Sequence, residues 1–140
     1  MKVTVFLALF VSATPVFAAP DKAAYELQER CGKRAAEVDK ANGPSIRQTK
    51  DGTTISSYVA HYNARSNRCF ALITSSGFVK SNTGNDSFRM ESLFDVNSNR
   101  EHGGYYQRNA SSKVMMCRMD DHQCRSKDEW DALVKPYMED

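Results

Sequence analysis

Two features that would point to a charged partner or a membrane are missing from this 140-residue sequence. It has no excess of either charge, since 19 basic residues stand against 17 acidic ones. Electrostatics therefore gives no reason to expect binding to nucleic acid or to an anionic membrane. The apolar run at residues 3–11 is far shorter than the about 20 residues that a membrane-spanning helix needs. We predict no nucleic-acid partner and no membrane span.

The sequence also lacks the short motifs that mark common catalytic and metal sites. It contains no G-x-S-x-G, no Walker A loop, no H-E-x-x-H and no EF-hand loop. Its cysteines form no C-x-x-C pair, which argues against zinc or redox chemistry. The length excludes two catalytic domains, because one domain usually takes about 100–150 residues. These absences favour a single non-catalytic domain without a cofactor.

The N-terminal segment is typical of a secretory signal peptide of residues 1–18. Lys2 supplies a positive start, the apolar run follows, and Val16 and Ala18 place compact residues at the −3 and −1 positions of a cleavage site. The expected mature chain is residues 19–140, exported to the periplasm or secreted, and folded as one domain.

The exported part has an even number of cysteines, at positions Cys31, Cys69, Cys117 and Cys124. In an oxidising compartment this predicts two disulfides, for which three connectivities exist. The short separation of Cys117 and Cys124 favours a local bridge, because closing a short loop costs the least chain entropy. Cys31 is then left to pair with Cys69.

Hydrophobic periodicity predicts an α+β fold. Apolar residues three and four positions apart indicate a first helix, capped by Asp21 and running to about Ala41. Ser126 and Glu129 match a capping box before an apolar stripe, which indicates a C-terminal helix. Between the helices, β-branched and aromatic runs predict an antiparallel sheet of four or five strands, at residues 53–62, 68–75, 87–96, 103–108 and 114–117.

Three stretches of the chain carry a resemblance to known sequences. They are His61-Tyr62-Asn63 with Asn67-Arg68-Cys69-Phe70, Leu93-Phe94-Asp95-Val96 with Asn99, Glu101 and Gly103, and residues 130–138. On these residues the chain resembles a family of small exported bacterial proteins that carries no established activity. The resemblance implies a periplasmic or secreted bacterial protein. It implies no reaction, so no catalytic role is carried over.

A pair of histidines supports one alternative function, a small secreted ribonuclease-like hydrolase. His61 and His102 could act as general base and acid on RNA phosphodiesters, because imidazole titrates near neutral pH. Nothing in the sequence brings the two rings together. The competing interpretation places His61 at a strand end and His102 in a solvated turn.

The segment at residues 115–122 supports a second alternative, periplasmic copper binding. Thioether and imidazole ligands suit copper(I), and Met115, Met119 and His122 would converge if this segment curled. The competing interpretation is that methionines beside a strand fill a core. A local disulfide would also take both nearby thiolates out of use.

The last candidate is the tip of the predicted hairpin, where Tyr62, Asn63, Arg65 and Arg68 lie. Tyrosine and arginine are favoured at recognition surfaces, and a disulfide at Cys69 would hold the base of the hairpin rigid. Asparagine and serine are also common in turns for conformational reasons alone. We therefore predict a non-catalytic binding or accessory protein, for instance an inhibitor of an extracellular enzyme, with a protein as its partner.

Overall fold

The computed structural model describes residues 21–82, 84–108 and 113–140. The predicted signal peptide lies outside these residues. In chain order the elements are α1 (Lys22–Ala41), β1 (Ile46–Thr49), β2 (Gly52–Asn63), β3 (Arg68–Ser81), β4 (Gly84–Asp95), β5 (Arg100–Arg108), β6 (Lys113–Met119), β7 (His122–Gln123) and α2 (Lys127–Met138).

The seven strands in the described ranges form one antiparallel sheet, in which each strand pairs with its neighbours along the chain. The prediction of four or five strands was therefore wrong. The prediction missed β1 because this strand is exposed along its whole length and its sequence does not alternate between apolar and polar residues. It missed β7 because this strand has only two residues. The predicted strands at residues 68–75 and 87–96 are longer in the structure, because cross-strand backbone pairing continues as far as Ser81 and Gly84.

The two helices of the described chain pack on opposite faces of this sheet. On the α1 face, Cys31 and Ala35 of the helix contact Cys69 and Ala71 of β3. Side chains of successive strand residues alternate between faces, so Phe70 lies on the α2 face. There it joins a larger cluster whose buried members include Leu93, Tyr105, Trp130 and Val134.

Both helices begin at the residues predicted to cap them. The carboxylate of Asp21 accepts a hydrogen bond from the backbone N–H of Ala23 at 3.1 Å. The hydroxyl of Ser126 accepts one from the N–H of Glu129 at 3.1 Å. The Glu129 carboxylate in turn accepts a hydrogen bond from the backbone N–H of Arg125 at 2.7 Å. The bonds to Asp21 and Ser126 each satisfy a helix N–H that has no partner within its own helix.

Both predicted disulfides are present, and they lie at the same end of the sheet. The Cα atoms of Cys31 and Cys69 are 5.4 Å apart, and those of Cys117 and Cys124 are 4.9 Å apart. This end also carries the turns at residues 64–67, 96–99 and 120–121, and we call it the turn end. The opposite end is where β2 and β4 begin and β3 ends.

Candidate functional site

His102 owes its position to a β-bulge at the start of β5. In the pairing with β4, the register shifts between Glu101 and Gly103, so His102 is one extra residue in its strand. A bulge of this kind redirects a side chain. The His102 ring lies on the α2 face, with its centroid 5.7 Å from that of Phe70 and 5.4 Å from that of Tyr137.

Asp120 is the hub of a hydrogen-bonded cluster at the turn end. It occupies the two-residue turn between β6 and β7 with a φ of 46°, a left-handed conformation that aspartate tolerates better than most residues. Its carboxylate lies 3.1 Å from Nδ1 of His102 and accepts from the Tyr137 hydroxyl at 3.1 Å. Arg100 donates to the other oxygen at 3.2 Å. The turn is thereby tied to β5 and to the last turn of α2.

The environment of Asp120 favours its charged form. Burial raises the pKa of this carboxyl group, but hydrogen bonds from His102 and Tyr137, together with the charges of His102 and Arg100, lower it by more. The net effect places the pKa of Asp120 below its ordinary value. Tyr137 shows the opposite shift, since burial and the bond to the Asp120 carboxylate raise its pKa.

The structure brings His61 to the same face as His102, next to the end of α2. His61 is the cross-strand neighbour of Phe70, and its Nε2 lies 3.6 Å from a carboxylate oxygen of Asp140. The Nε2 atoms of both His61 and His102 are buried, and neither has a hydrogen-bond partner in the described part of the chain. Neither ring therefore presents its Nε2 to a dissolved substrate in this arrangement.

Asn63 lies inside the protein rather than on its surface. Its side chain is 2% exposed, and Nδ2 donates to the backbone oxygens of Pro136 at 2.9 Å and Glu139 at 3.2 Å. Its Oδ1 accepts from the N–H of Ser66 at 3.0 Å. Asn63 thus satisfies carbonyl groups at the C-terminal end of α2, which have no partners within the helix.

The turns at residues 64–67 and 96–99 share a pattern that is visible in the sequence, N-x-x-S-N-R and D-x-x-S-N-R. In the second turn, Asp95 accepts from the N–H of Ser98, as Asn63 does from that of Ser66. The arginine that follows each turn donates a hydrogen bond to an aspartate at the next turn. Arg68 donates to Asp95 at 3.2 Å, and Arg100 donates to Asp120. Sequence reasoning missed this repeat, which links three turns in a row.

A buried carboxylate, Glu91, anchors the start of α2. It accepts from Nε1 of Trp130 at 2.8 Å and from Nε of Arg89 at 2.7 Å, and Nζ of Lys127 lies 3.4 Å away. Glu91 is 1% exposed, so its partners are needed to offset the loss of hydration. Nothing in the strand sequence marked this glutamate as buried, because the helix that covers it lies 36 or more residues further on.

The residues proposed as copper ligands occupy different environments. Met119 is 2% exposed within the core, whereas Met115 is 52% exposed and His122 is also exposed. The sulfur atoms of Cys117 and Cys124 are joined to each other. Among the described residues, no cluster of three or more His, Cys, Asp or Glu side chains is arranged to hold a metal ion.

The remaining predicted surface residues lie on two sides of the hairpin tip. Arg65 faces the C-terminal end of α2, and Arg68, about half exposed, is paired with Asp95. Tyr62 faces α1 and donates from its hydroxyl to Asn67 at 2.6 Å. It lines a hollow of about 280 Å³, which we call the basic hollow, together with Leu27, Arg30, Cys31, Arg34, Asn67, Cys69 and Asn97.

Comparisons with protein families, curated proteins and solved structures found no match to this chain. The function must therefore be inferred from the residues themselves, and the resemblance to small exported bacterial proteins stays a prediction. Two disulfides are characteristic of an oxidising, extracytoplasmic environment. Neither helix of the described ranges has the length and apolar character needed to cross a bilayer.

Proposed function

We propose that the protein is an exported, non-catalytic binding protein that contacts an acidic protein partner through the basic hollow. The observation that carries this proposal is the charge of the lining. Arg30 and Arg34 contribute two guanidinium groups, and no acidic residue is among the described residues that line the hollow. Guanidinium groups bind carboxylates through paired hydrogen bonds, so an aspartate, a glutamate or a C-terminal carboxylate of the partner fits here.

Both arginines are available to a partner. Arg34 lies 3.3 Å from Glu37, but both side chains are well exposed, so this ion pair contributes little and is easily exchanged. Arg30 has no ion pair among the described residues of the chain. Tyr62, Asn67 and the other polar groups around the arginines add the residue types that are common at recognition surfaces.

The hollow is held in shape before a partner arrives. The disulfide between Cys31 and Cys69 forms part of its lining and joins α1 to β3. Gln28 adds a second link to the sheet, since its side chain accepts from the N–H of Tyr62 at 2.7 Å and donates to the carbonyl of Ala60 at 3.0 Å. A preformed surface loses less conformational entropy on binding, which suits an inhibitor or accessory protein of the periplasm or the extracellular space.

The geometry favours this function over the two alternatives. A ribonuclease-like site needs ring nitrogens that reach a substrate, whereas Nε2 is buried in both His61 and His102. A copper site needs its ligands to converge, whereas Met119 is in the core and Met115 is exposed. The basic hollow needs no such rearrangement.

Titration with a defined acidic peptide tests the proposal. Hexaglutamate added to the isotope-labelled exported chain should shift the NMR signals of Arg30, Arg34 and Tyr62, and hexaglutamine should not. Arg30→Glu should remove these shifts, because it reverses one of the two charges. Arg125→Glu makes the same charge change at another exposed arginine and should leave them intact.

The absence of shifts at Arg30, Arg34 and Tyr62 would overturn the proposal, and so would either of two other results. One is a set of shifts that survives in Arg30→Glu. The other is a set that centres on Arg65 and is lost in Arg65→Glu, which would assign the contact to the α2 side of the hairpin tip. Added salt should weaken the expected shifts, since exposed charges are screened over about 10 Å at 0.1 M ionic strength.

A further inference from the structure

A second hollow, which we call the α1-face cavity, lies between the C-terminal end of α1 and the sheet, and has a volume of about 420 Å³. The base of the cavity, which we call its floor, is formed by β2 and β3. These strands leave space there because Ser56 and Ser75, which lie directly opposite each other, have short side chains. One wall of the cavity is formed by the large side chains of β4, at Phe88, Met90 and Phe94. The volume is within the range of small-molecule sites in proteins, about 300–1,000 Å³.

The apolar side chains of the wall, together with Ile73 on the floor, suit the hydrophobic part of a ligand. Met90 is 40% exposed, although it stands beside Phe88 and Phe94 in the same cavity, and Ile73 of β3 lies on the floor. A ligand with an apolar body would cover these side chains and remove their surface from water, which is the main favourable term in binding of this kind.

The floor also offers a hydroxyl proton. The Oγ atoms of Ser56 and Ser75 are 2.8 Å apart, so one hydroxyl donates to the other. A pair of hydroxyl groups has two protons, and this bond uses one of them. Ser56 and Ser75 both line the cavity, so an oxygen atom of a ligand is a suitable acceptor for the other proton.

Two opposite charges line the cavity without pairing with each other. Asp39 belongs to the last turn of α1, and Arg47 to β1. Neither has a salt bridge within the described ranges of the chain; the one hydrogen bond of the Arg47 guanidinium goes to the carbonyl of Asn42 at 3.3 Å. Asp39 and the negative end of the α1 dipole favour a positive group, and Arg47 favours a carboxylate.

We propose that the α1-face cavity binds an apolar α-amino acid in its zwitterionic form. The carboxylate would be held by Arg47, the ammonium group by Asp39, and the apolar side chain by Phe88, Met90 and Phe94. A simple anionic amphiphile is disfavoured because Asp39 would repel it, and a simple cationic one because of Arg47. This site is separate from the basic hollow and does not depend on the function proposed for it.

Calorimetric titration of the full exported chain tests this assignment. L-Phenylalanine, L-leucine and L-methionine are the probes, and N-acetyl-L-phenylalanine and phenethylamine, which lack the ammonium group and the carboxylate respectively, are the comparison compounds. At least one amino acid should bind. For L-phenylalanine, each comparison compound should bind about tenfold more weakly or worse, since each loses a charge-assisted hydrogen bond.

Three variants test whether the ligand binds in the α1-face cavity. Arg47→Ala and Asp39→Asn should each weaken binding about tenfold, and Arg125→Ala, which removes an arginine outside this cavity, should leave it unchanged. Unfolding midpoints equal to that of the wild type would show that the variants fold. The proposal is overturned if none of the three amino acids binds, if N-acetyl-L-phenylalanine or phenethylamine binds as tightly as L-phenylalanine, or if Arg47→Ala and Asp39→Asn bind like the wild type.

Discussion

The turn end and the opposite end of the sheet differ in what covers them. At the turn end, the polar side chains of Asn63 and Asp95 are 2% and 3% exposed and are hydrogen-bonded. At the opposite end, apolar side chains face outward, with Ile46 59%, Ile55 54% and Phe78 41% exposed. Hydrophobicity alone would predict the reverse. The difference shows that tertiary contacts decide burial here, because the end of α2 covers Asn63, whereas the apolar strand ends are left exposed.

The same contrast bears on function. A surface that binds with little loss of entropy needs rigid support, and the turn end supplies it through the linked turns and the disulfide between Cys31 and Cys69. The exposed residues at the opposite end are held mainly by backbone pairing between strands. The basic hollow therefore lies in the better supported half of the molecule.

The largest expected effect is the difference in stability between a substitution at a buried residue and one at an exposed residue. Trp130 is 0% exposed, stacks on Tyr105 with ring centroids 6.3 Å apart and bonds Glu91. Trp130→Ala should lower the free energy of unfolding by about 3–5 kcal/mol, because it opens a cavity and removes a partner from a buried carboxylate. Ile55→Ala at the opposite end should lower it by less than about 1 kcal/mol. Urea unfolding of both variants measures the difference, and equal losses would contradict the contrast.

The two disulfides should differ in the stability that they provide. The bridge between Cys31 and Cys69 spans 38 residues, and that between Cys117 and Cys124 spans 7. Replacing each pair by alanine should cost about 4 and about 2 kcal/mol respectively, because a longer loop restricts the unfolded chain more. Hydrogen exchange should then increase first at the turn end. A larger loss for the shorter loop would show that native contacts, rather than chain entropy, set the order.

The smallest expected effect concerns acid stability at the Asp120 cluster. Since the pKa of Asp120 in the folded protein is below its ordinary value of 3.8, its contribution is complete above that value and is lost as the pH falls through the lower folded pKa. Asp120→Asn should therefore be less stable than the wild type at pH 7, by about 1 kcal/mol. Its stability should also fall less steeply below about pH 4.

The neighbouring Asp121→Asn serves as the control for this experiment, since Asp121 is exposed beside the cluster. Thermal unfolding between pH 7 and pH 2 gives both curves. If Asp120→Asn and the wild type lose stability in parallel below pH 4, the cluster does not hold the charged form of Asp120.

The sequence predicted the elements whose signals are local. Asp21 and Ser126 were recognised as helix caps because a cap depends on residues within one turn of the helix. The pairing of Cys117 with Cys124 followed from their short separation. The count of strands was wrong because β1 is exposed along its whole length and β7 has only two residues, so neither gives a recognisable side-chain pattern. The ends of β3 and β4 were missed because they are polar, and Ser81 and Gly84 are held in the sheet by backbone pairing, which a side-chain pattern does not record.

The candidate site was less predictable from the sequence. His61 and His102 were singled out as a candidate catalytic pair, but the burial of their Nε2 atoms near Phe70 depends on a bulge in β5 and on the last turn of α2. Asn63 was predicted at the surface because it lies at the tip of the predicted hairpin, among residue types that are common at recognition surfaces. Its buried position depends on the end of α2, more than 70 residues away along the chain.

By itself, the sequence determined the balanced charge, the two disulfides and the limits of the helices, since each depends on composition or on neighbouring residues. Tertiary structure alone decided the seven-stranded sheet, the burial of Glu91 under Trp130, and the meeting of Arg30 and Arg34 with Tyr62 beside a disulfide. Those features join residues that are far apart in the chain. The stability of each depends on which distant side chains cover it and exclude water. Only the folded chain brings those side chains together.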